Sequence, residues 1–105
     1  MATKTYAGVS VEVNEEGYLT NPSQWNKDIA VEIAREIGIN ELTDAHWKVI
    51  DFLQKDFAEK KTLPTIRRVK KVGGIPTNEL YELFPDGPLK KAAKIAGLNK
   101  PASCV

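Results

Sequence analysis

The feature that most constrains the fold is a set of large apolar side chains, spaced three or four residues apart, between residues 43 and 59. These side chains are Trp47, Ile50, Leu53 and Phe57. The spacing places them on one face of a helix, which Thr43 can cap and which Asp44 favours at its positive N-terminal end. Because such a face has to be buried against other elements, we predict that this helix, reaching about Glu59, lies at the centre of the core.

Four shorter helices are predicted around this long one. Proline and glycine residues separate them, and they cover residues 25–37, 64–72, 77–84 and 88–96. Pro64 suits the first turn of its helix, since its missing N–H costs nothing there. Thr77 is expected to cap the helix that follows.

Near the N-terminus, residues 4–19 are predicted to form a small β-hairpin. Val9, Val11 and Val13 alternate with other residues, as in a half-buried strand. Residues 14–17 offer a turn, and Tyr18 would begin the return strand. Since two strands alone are marginally stable, the hairpin has to pack on the helices. The predicted fold class is mainly α (α+β), a compact helical bundle of about five helices with a small N-terminal β-hairpin, in a single domain at residues 1–105.

Composition is that of an ordinary soluble globular chain, with 42% hydrophobic and 28% charged residues. The single cysteine excludes a disulfide within the chain, which suits a reducing compartment. No segment has the pattern of a signal peptide or reaches the ~20 apolar residues of a membrane span. We therefore expect a cytoplasmic protein with no membrane contact.

Charge is distributed unevenly along the chain. Residues 1–59 carry a net charge of −6 and residues 60–105 a net charge of +7. Such a segregation suggests an anionic partner for the second half, or two halves that neutralise each other in the fold. Both interpretations stay open.

Cys104, the next-to-last residue of the sequence, follows a segment with few large apolar side chains. This pattern predicts an accessible thiol on a short arm, with an incidental cysteine as the alternative. Helical spacing places Lys90 and Lys94 on one face, and Lys100 lies on the arm. Lysines near Cys104 would favour its thiolate, the nucleophilic form, whereas the carboxylate of Val105 would oppose it.

Residue groups that enzymes use are scarce in this sequence. His46 is the only histidine, and we interpret it as a structural or surface residue, because a histidine needs partners before it can catalyse. There is no second histidine and no cysteine pair for a zinc site, and no phosphate-binding loop or dinucleotide fingerprint. No cofactor is expected, and whether the chain is an enzyme stays open.

Several motifs, taken in order, together resemble one known family. They lie at residues 16–19, Trp25, residues 42–47, Pro64 with Arg67, residues 80–88 and residues 96–105. The most specific are the Phe-Pro-x-Gly-Pro run at residues 84–88 and the Gly-Leu-x-Lys-Pro-x-x-Cys ending at residues 97–104. Over nearly its whole length the chain is similar to the DsrC/TusE family of dissimilatory sulfite reductase gamma subunits and sulfur-relay proteins.

This resemblance implies a mostly helical globular part, residues 1–96, and a mobile C-terminal arm, residues 97–105. It implies that Cys104 accepts sulfane sulfur as a persulfide and passes it to a partner, as a sulfur carrier. Arg67, Lys90, Lys94 and Lys100 would line the docking face or steady the arm. The implied partners are an upstream sulfurtransferase and a downstream acceptor.

The sequence departs from the family pattern in two places. Respiratory members have a second cysteine eleven residues before the last one, where this chain has Ala93, so Cys104 has no partner for a disulfide within the chain. This favours the single-cysteine relatives, whose relay member hands sulfur on for 2-thiouridine synthesis in tRNA. The linker at residues 72–79 is also expected to be several residues shorter than in the respiratory and tRNA-relay members.

Two alternative functions stay open. In the first, the chain is a gamma-type subunit of a siroheme sulfite reductase and presents Cys104 to the alpha and beta subunits, which hold the siroheme and iron–sulfur clusters. In the second, it is a regulatory nucleic-acid-binding module whose basic helices contact phosphates.

Overall fold

The computed structural model describes residues 2–85 and 87–98, with the backbone alone at Pro22. Within these residues the elements are β1 Ala2–Tyr6, β2 Val9–Val13, α1 Lys27–Glu36, α2 Asp44–Lys60, α3 Ile66–Lys71, α4 Thr77–Leu83 and α5 Pro88–Ile95. The prediction of a mainly helical fold of five helices with a small N-terminal hairpin is confirmed. No helix in this part of the chain is long and apolar enough to cross a membrane.

The hairpin pairs different segments from those predicted. β1 and β2 are antiparallel, with Ala2 opposite Val13 and Tyr6 opposite Val9. The two residues between them, Ala7 and Gly8, have φ of 51° and 76°. Such left-handed pairs match the twist of two-residue hairpins, so the chain reverses there.

The predicted turn at 14–17 forms, but it does not join two strands of the sheet. The side-chain oxygen of Asn14 accepts the backbone N–H groups of Glu16 and Tyr18 at 2.9 and 3.0 Å. This side-chain contact closes a compact loop, after which Leu19 makes only an isolated bridge to Val13. The prediction of a return strand that begins at Tyr18 is therefore wrong.

Helix beginnings differ from the predictions where capping was misassigned, while every helix end lies within one residue of its prediction. Asn26 caps α1 through its side chain, so the helix excludes Trp25. Thr65 caps α3 in the same way, which leaves Pro64 before the cap and not in the first turn. Thr77 is the first residue of α4 and does not cap it, because Pro76 holds the cap position with an extended backbone.

The core forms where α5 packs against α1 and α2. On α2, Ile50 and Leu53 are fully buried, and Trp47 and Phe57 are partly buried around the same cluster. The inner face of the hairpin and the Phe84 side chain complete it. The prediction that α2 carries a core-facing apolar stripe is confirmed.

Candidate functional site

The C-terminal end of α5 is closed by a backbone motif. Gly97 has φ of 74°, a left-handed conformation that glycine adopts without cost. The Leu98 N–H donates to the Ala93 carbonyl at 2.9 Å, and the Gly97 N–H donates to the Lys94 carbonyl at 3.3 Å. This is the Schellman motif, which leaves the carbonyls of Ile95 and Ala96 for other donors.

Two side chains from distant parts of the sequence supply those donors. The indole Nε1–H of Trp25 donates to the Ile95 carbonyl at 2.7 Å. The Nε2 amide of Gln54 donates to the Ala96 carbonyl at 2.9 Å. Trp25 lies just before α1 and Gln54 lies on α2, so the two bonds tie the end of α5 to both neighbouring helices. We call Trp25 and Gln54 the α5 clamp.

Gly97 and Leu98, the first two residues of the predicted arm, are packed against the core. Leu98 is only 7% exposed and belongs to the core cluster. Gly97 is buried against Trp25, so closely that a methyl group at Gly97 would lie 2.6 Å from Cδ1 of Trp25. Both residues therefore belong to the packed end of α5.

A cavity of about 300 Å³ lies beside the α5 clamp. Its lining is mostly apolar and comprises Trp25, Gln54, Phe57, Ala58, Ala96, Gly97 and Leu98. The described chain ends at Leu98, on the wall of this cavity. The clamp, the helix end and the cavity thus occupy one place on the surface.

The predicted site residues fall into three groups. Cys104 and Lys100 lie outside the described residues. Lys90 and Lys94 are half-buried on α5 and line a second cavity, of about 270 Å³, together with Tyr18. Arg67 is exposed on α3 and does not line either cavity.

Lys90 and Lys94 both contact the loop that Asn14 closes. The Tyr18 hydroxyl donates to the Lys90 backbone carbonyl at 3.3 Å. The Lys94 Nζ lies 5.9 Å from the centroid of the Tyr18 ring, within cation–π range. These contacts join α5 to the segment that follows the hairpin, a role for Tyr18 that sequence reasoning missed.

The basic side chains of helix α3 are not all free in solvent. Arg68 donates from Nε to both carboxylate oxygens of Asp56 at 3.0 Å and from a terminal nitrogen to Oδ1 at 2.7 Å. Asp56 is 5% exposed, so this pair compensates a buried charge. The pair joins the acidic and basic halves of the chain, which supports mutual neutralisation for part of the charge asymmetry.

His46 has a structural role, as predicted. Its Nδ1 accepts the Thr43 backbone N–H at 3.1 Å at the beginning of α2. Its Nε2 lies 3.0 Å from the Leu83 carbonyl, which can only accept, so Nε2 carries the proton. The ring thereby links the start of α2 to the end of α4.

Gln54 is the functional candidate that sequence reasoning did not find. Its position between the core residue Leu53 and the partly buried Phe57 was the available signal, because a polar side chain beside the apolar stripe of α2 needs a partner. Trp25 was singled out only as part of a motif. Its bond to the end of α5 joins residues 70 positions apart, which no local pattern predicts.

The fold and this site define a class of small helical protein in which a firmly held helix end precedes the one cysteine by a few residues. A model of the family described as "DsrC like protein" matches residues 5–105. The chain belongs to this family.

Individual relatives carry two kinds of name. The "Sulfurtransferase TusE homolog" of Haemophilus influenzae is 46% identical, over 93% of this chain and 95% of the relative. The "Sulfite reductase, dissimilatory-type subunit gamma" of Nitratidesulfovibrio vulgaris is 41% identical over the full length of both chains. The crystal structure of dissimilatory sulfite reductase I (DsrI) contains a chain that is 38% identical, with a TM-score of 0.88 over 99% of this chain and 100% of that one.

These alignments correct one expectation about the linker at residues 72–79. The alignment with the Nitratidesulfovibrio subunit spans 105 residues and all of both chains, so that relative has no additional linker residues. The alignment with the Haemophilus protein also spans 105 positions but covers 93% of this chain, which leaves room for extra residues in that relative. The expectation of a shorter linker than in respiratory members is therefore wrong for the Nitratidesulfovibrio protein.

Ala93, where the family resemblance places the second cysteine of respiratory members, is fully buried on α5. Its carbonyl also accepts the Leu98 N–H of the Schellman motif. The Ala93 methyl group therefore fills a position in the core.

Proposed function

We propose that this protein is a sulfur carrier that accepts sulfane sulfur as a persulfide on Cys104 and passes it to a protein partner. The observation that carries the proposal is the family match, which runs through residue 105 and so includes Cys104. The names of the relatives support the same chemistry, since they include a sulfurtransferase and a sulfite reductase subunit. The partners would supply any catalytic groups beyond the thiol.

The transfer step is an exchange at sulfur. The Cys104 thiolate attacks the outer sulfur of a donor persulfide, so the new Cys104 S–S bond forms as the donor's S–S bond breaks. The donor leaves as a thiolate, and the outer sulfur keeps its proton. No external oxidant or reductant is needed. Delivery to an acceptor thiolate repeats the same step with Cys104 as the leaving group.

The folded part places a limit on where the thiol can go. Leu98 is buried at the α5 clamp, and Cys104 follows it six positions further along the chain. An extended chain spans at most about 3.6 Å per residue, so Cys104 can reach roughly 20 Å from Leu98. Arg67, Lys90, Lys94 and Lys100 are proposed to contact the partner during delivery.

Intact-mass spectrometry after exposure to inorganic polysulfide tests the proposal. We expect mass increments of whole sulfur atoms that are removed by reductant and are absent in the Cys104→Ser variant. Retention of the increments in Cys104→Ser, or no increment on a Cys104 that iodoacetamide alkylates readily, would exclude a carrier role.

A second candidate is a gamma-type subunit of a siroheme sulfite reductase, with the metal centres on the partner subunits. The observation that favours it is the gap-free alignment of this chain with the Nitratidesulfovibrio gamma subunit. Co-purification of the tagged chain with a siroheme protein from its own cells would support it. Recovery of the chain without siroheme, from cells that contain the reductase, would count against it.

A further inference from the structure

We propose that Trp25 and Gln54 are positioning residues that set the starting point, and therefore the reach, of the segment carrying Cys104. The bearing on sulfur delivery rests on the proposed function, whereas the positioning itself rests on the described contacts. The α5 clamp holds the last two carbonyls before the segment begins. The two side chains act on the end of α5, whose last carbonyls they bind.

The first step concerns what a helix end requires. The last carbonyls of a helix have no partner within it, and an end without partners frays into water. The Schellman motif supplies donors for Ala93 and Lys94, and the clamp supplies donors for Ile95 and Ala96. With these bonds the backbone is held through Leu98.

The second step concerns where the donors come from. Had they come from residues near α5, the end of the helix would be ordered but able to move as a unit. Instead they come from residue 25, before α1, and from residue 54, within α2. Both of those helices pack on α5. The starting point of the segment is therefore fixed relative to the whole core.

The third step concerns packing around the same atoms. Trp25 lies so close to Gly97 that no side chain fits there, and Leu98 is buried among the cavity-lining residues. We expect the loss of a clamp donor to fray the end of α5 from Ala96 to Leu98, because it leaves the Ile95 or Ala96 carbonyl without its partner. Three frayed residues would add about 10 Å to the span between the folded core and Cys104 at 3.3–3.6 Å per residue. The clamp thus sets the volume within which Cys104 meets a partner.

Pulsed electron–electron double resonance measures this reach directly. One spin label is placed on Cys104 and a second on an introduced Lys48→Cys, an exposed position on α2. In Gln54→Leu and in Trp25→Phe we expect a broader distance distribution whose long edge moves outward by about 10 Å. A distribution identical to that of the parent, in variants that remain folded by circular dichroism, would overturn the proposal.

The chain offers a matched control. Gln24→Leu makes the same substitution at the residue before Trp25, a glutamine whose Oε1 accepts the Glu12 N–H at 2.9 Å and which does not bind the end of α5. This variant should keep the parent distribution. Broadening of the same size in Gln24→Leu would show that general loosening, and not the clamp, controls the reach.

Gln54→Glu separates positioning from packing, because it keeps the size of the side chain. An ionised carboxylate cannot donate to the Ala96 carbonyl, whereas a protonated one can. The distribution should be broad at neutral pH and narrow again in acid, and a distribution that does not respond to pH would contradict the role of the donor. Polysulfide loading is measured on unlabelled samples, so failure of the carrier chemistry and failure of the clamp give separate results.

Discussion

At the scale of single residues, Gly97 is the position at which the backbone and the packing most restrict the choice of side chain. Gly97 has both a left-handed backbone and the Trp25 ring where a side chain would begin. Gly74 has a similar φ of 70°, but no atom lies within 4 Å of the position that an added methyl group would take there. The two glycines therefore separate the cost of backbone strain from the cost of a steric clash.

We expect Gly74→Ala to lower the free energy of unfolding by about 1–2 kcal/mol, the cost of a left-handed alanine. Gly97→Ala should lower it by about 1–3 kcal/mol more, since the added methyl overpacks the site at Trp25. Urea unfolding of both variants measures the difference. Equal losses would mean that Trp25 moves aside without cost.

At the scale of elements, one contact joins β1 to α1. Lys4 Nζ donates to Glu36 Oε1 at 2.7 Å, and the Tyr6 hydroxyl donates to Oε2 at 2.9 Å. The Lys4 hydrogen bond lowers the pKa of Glu36 from its usual 4.5, and the same bond raises the pKa of Lys4. Burial raises the pKa of Tyr6. The contact therefore depends on an ionised Glu36.

This dependence predicts the effect of acid. Because the folded pKa of Glu36 is depressed, its stabilisation is present above pH 4.5 and is lost as the pH falls through the folded pKa. Glu36→Gln should be less stable than the parent at pH 7, by at most about 1 kcal/mol for an exposed pair, and the difference should disappear as the pH falls through the folded pKa of Glu36.

Urea unfolding across this pH range provides the measurement, with Glu32→Gln on the same helix as control. The side chain of Glu32 makes no hydrogen bond or ion pair with the described residues. A difference between parent and Glu36→Gln that persists unchanged in acid would refute the assignment.

At the scale of the whole molecule, the hairpin and the helices share one core. Tyr6, Val11 and Val13 from the hairpin lie in the same buried cluster as the inner faces of the helices. A two-stranded hairpin is only marginally stable alone, so its folding has to be coupled to that of the helices. This coupling supports the proposal that residues 1–105 form a single domain.

Unfolding should accordingly be one cooperative transition, coincident by far-ultraviolet circular dichroism and by tryptophan fluorescence. Val13→Ala should shift both probes equally and cost about 1–3 kcal/mol, because Val13 is buried. Val9→Ala, the same change at a 39% exposed position of β2, should stay within about 0.5 kcal/mol. Transitions that separate in Val13→Ala would indicate independent units.

Local patterns in the sequence determined the five helices, their ends to within one residue, and the buried face of α2. They also determined the structural role of His46 and, through the ordered motifs, the family. These are properties of spacing and of single residue types, which act over a few residues along the chain.

Only the tertiary structure decided which segments meet. Three contacts were decided in this way: the pairing of β2 with β1, the pairing of Arg68 with Asp56, and the donors at the end of α5. In each of them the residues are too far apart in the sequence, or too irregularly spaced, for a helical or strand period to predict the contact. Their choice follows from burial, since each buried carbonyl or carboxylate needs a partner wherever packing brings one within reach. The sequence therefore indicated a cysteine after a helix, whereas the packing of Trp25 and Gln54 decided where that helix is held.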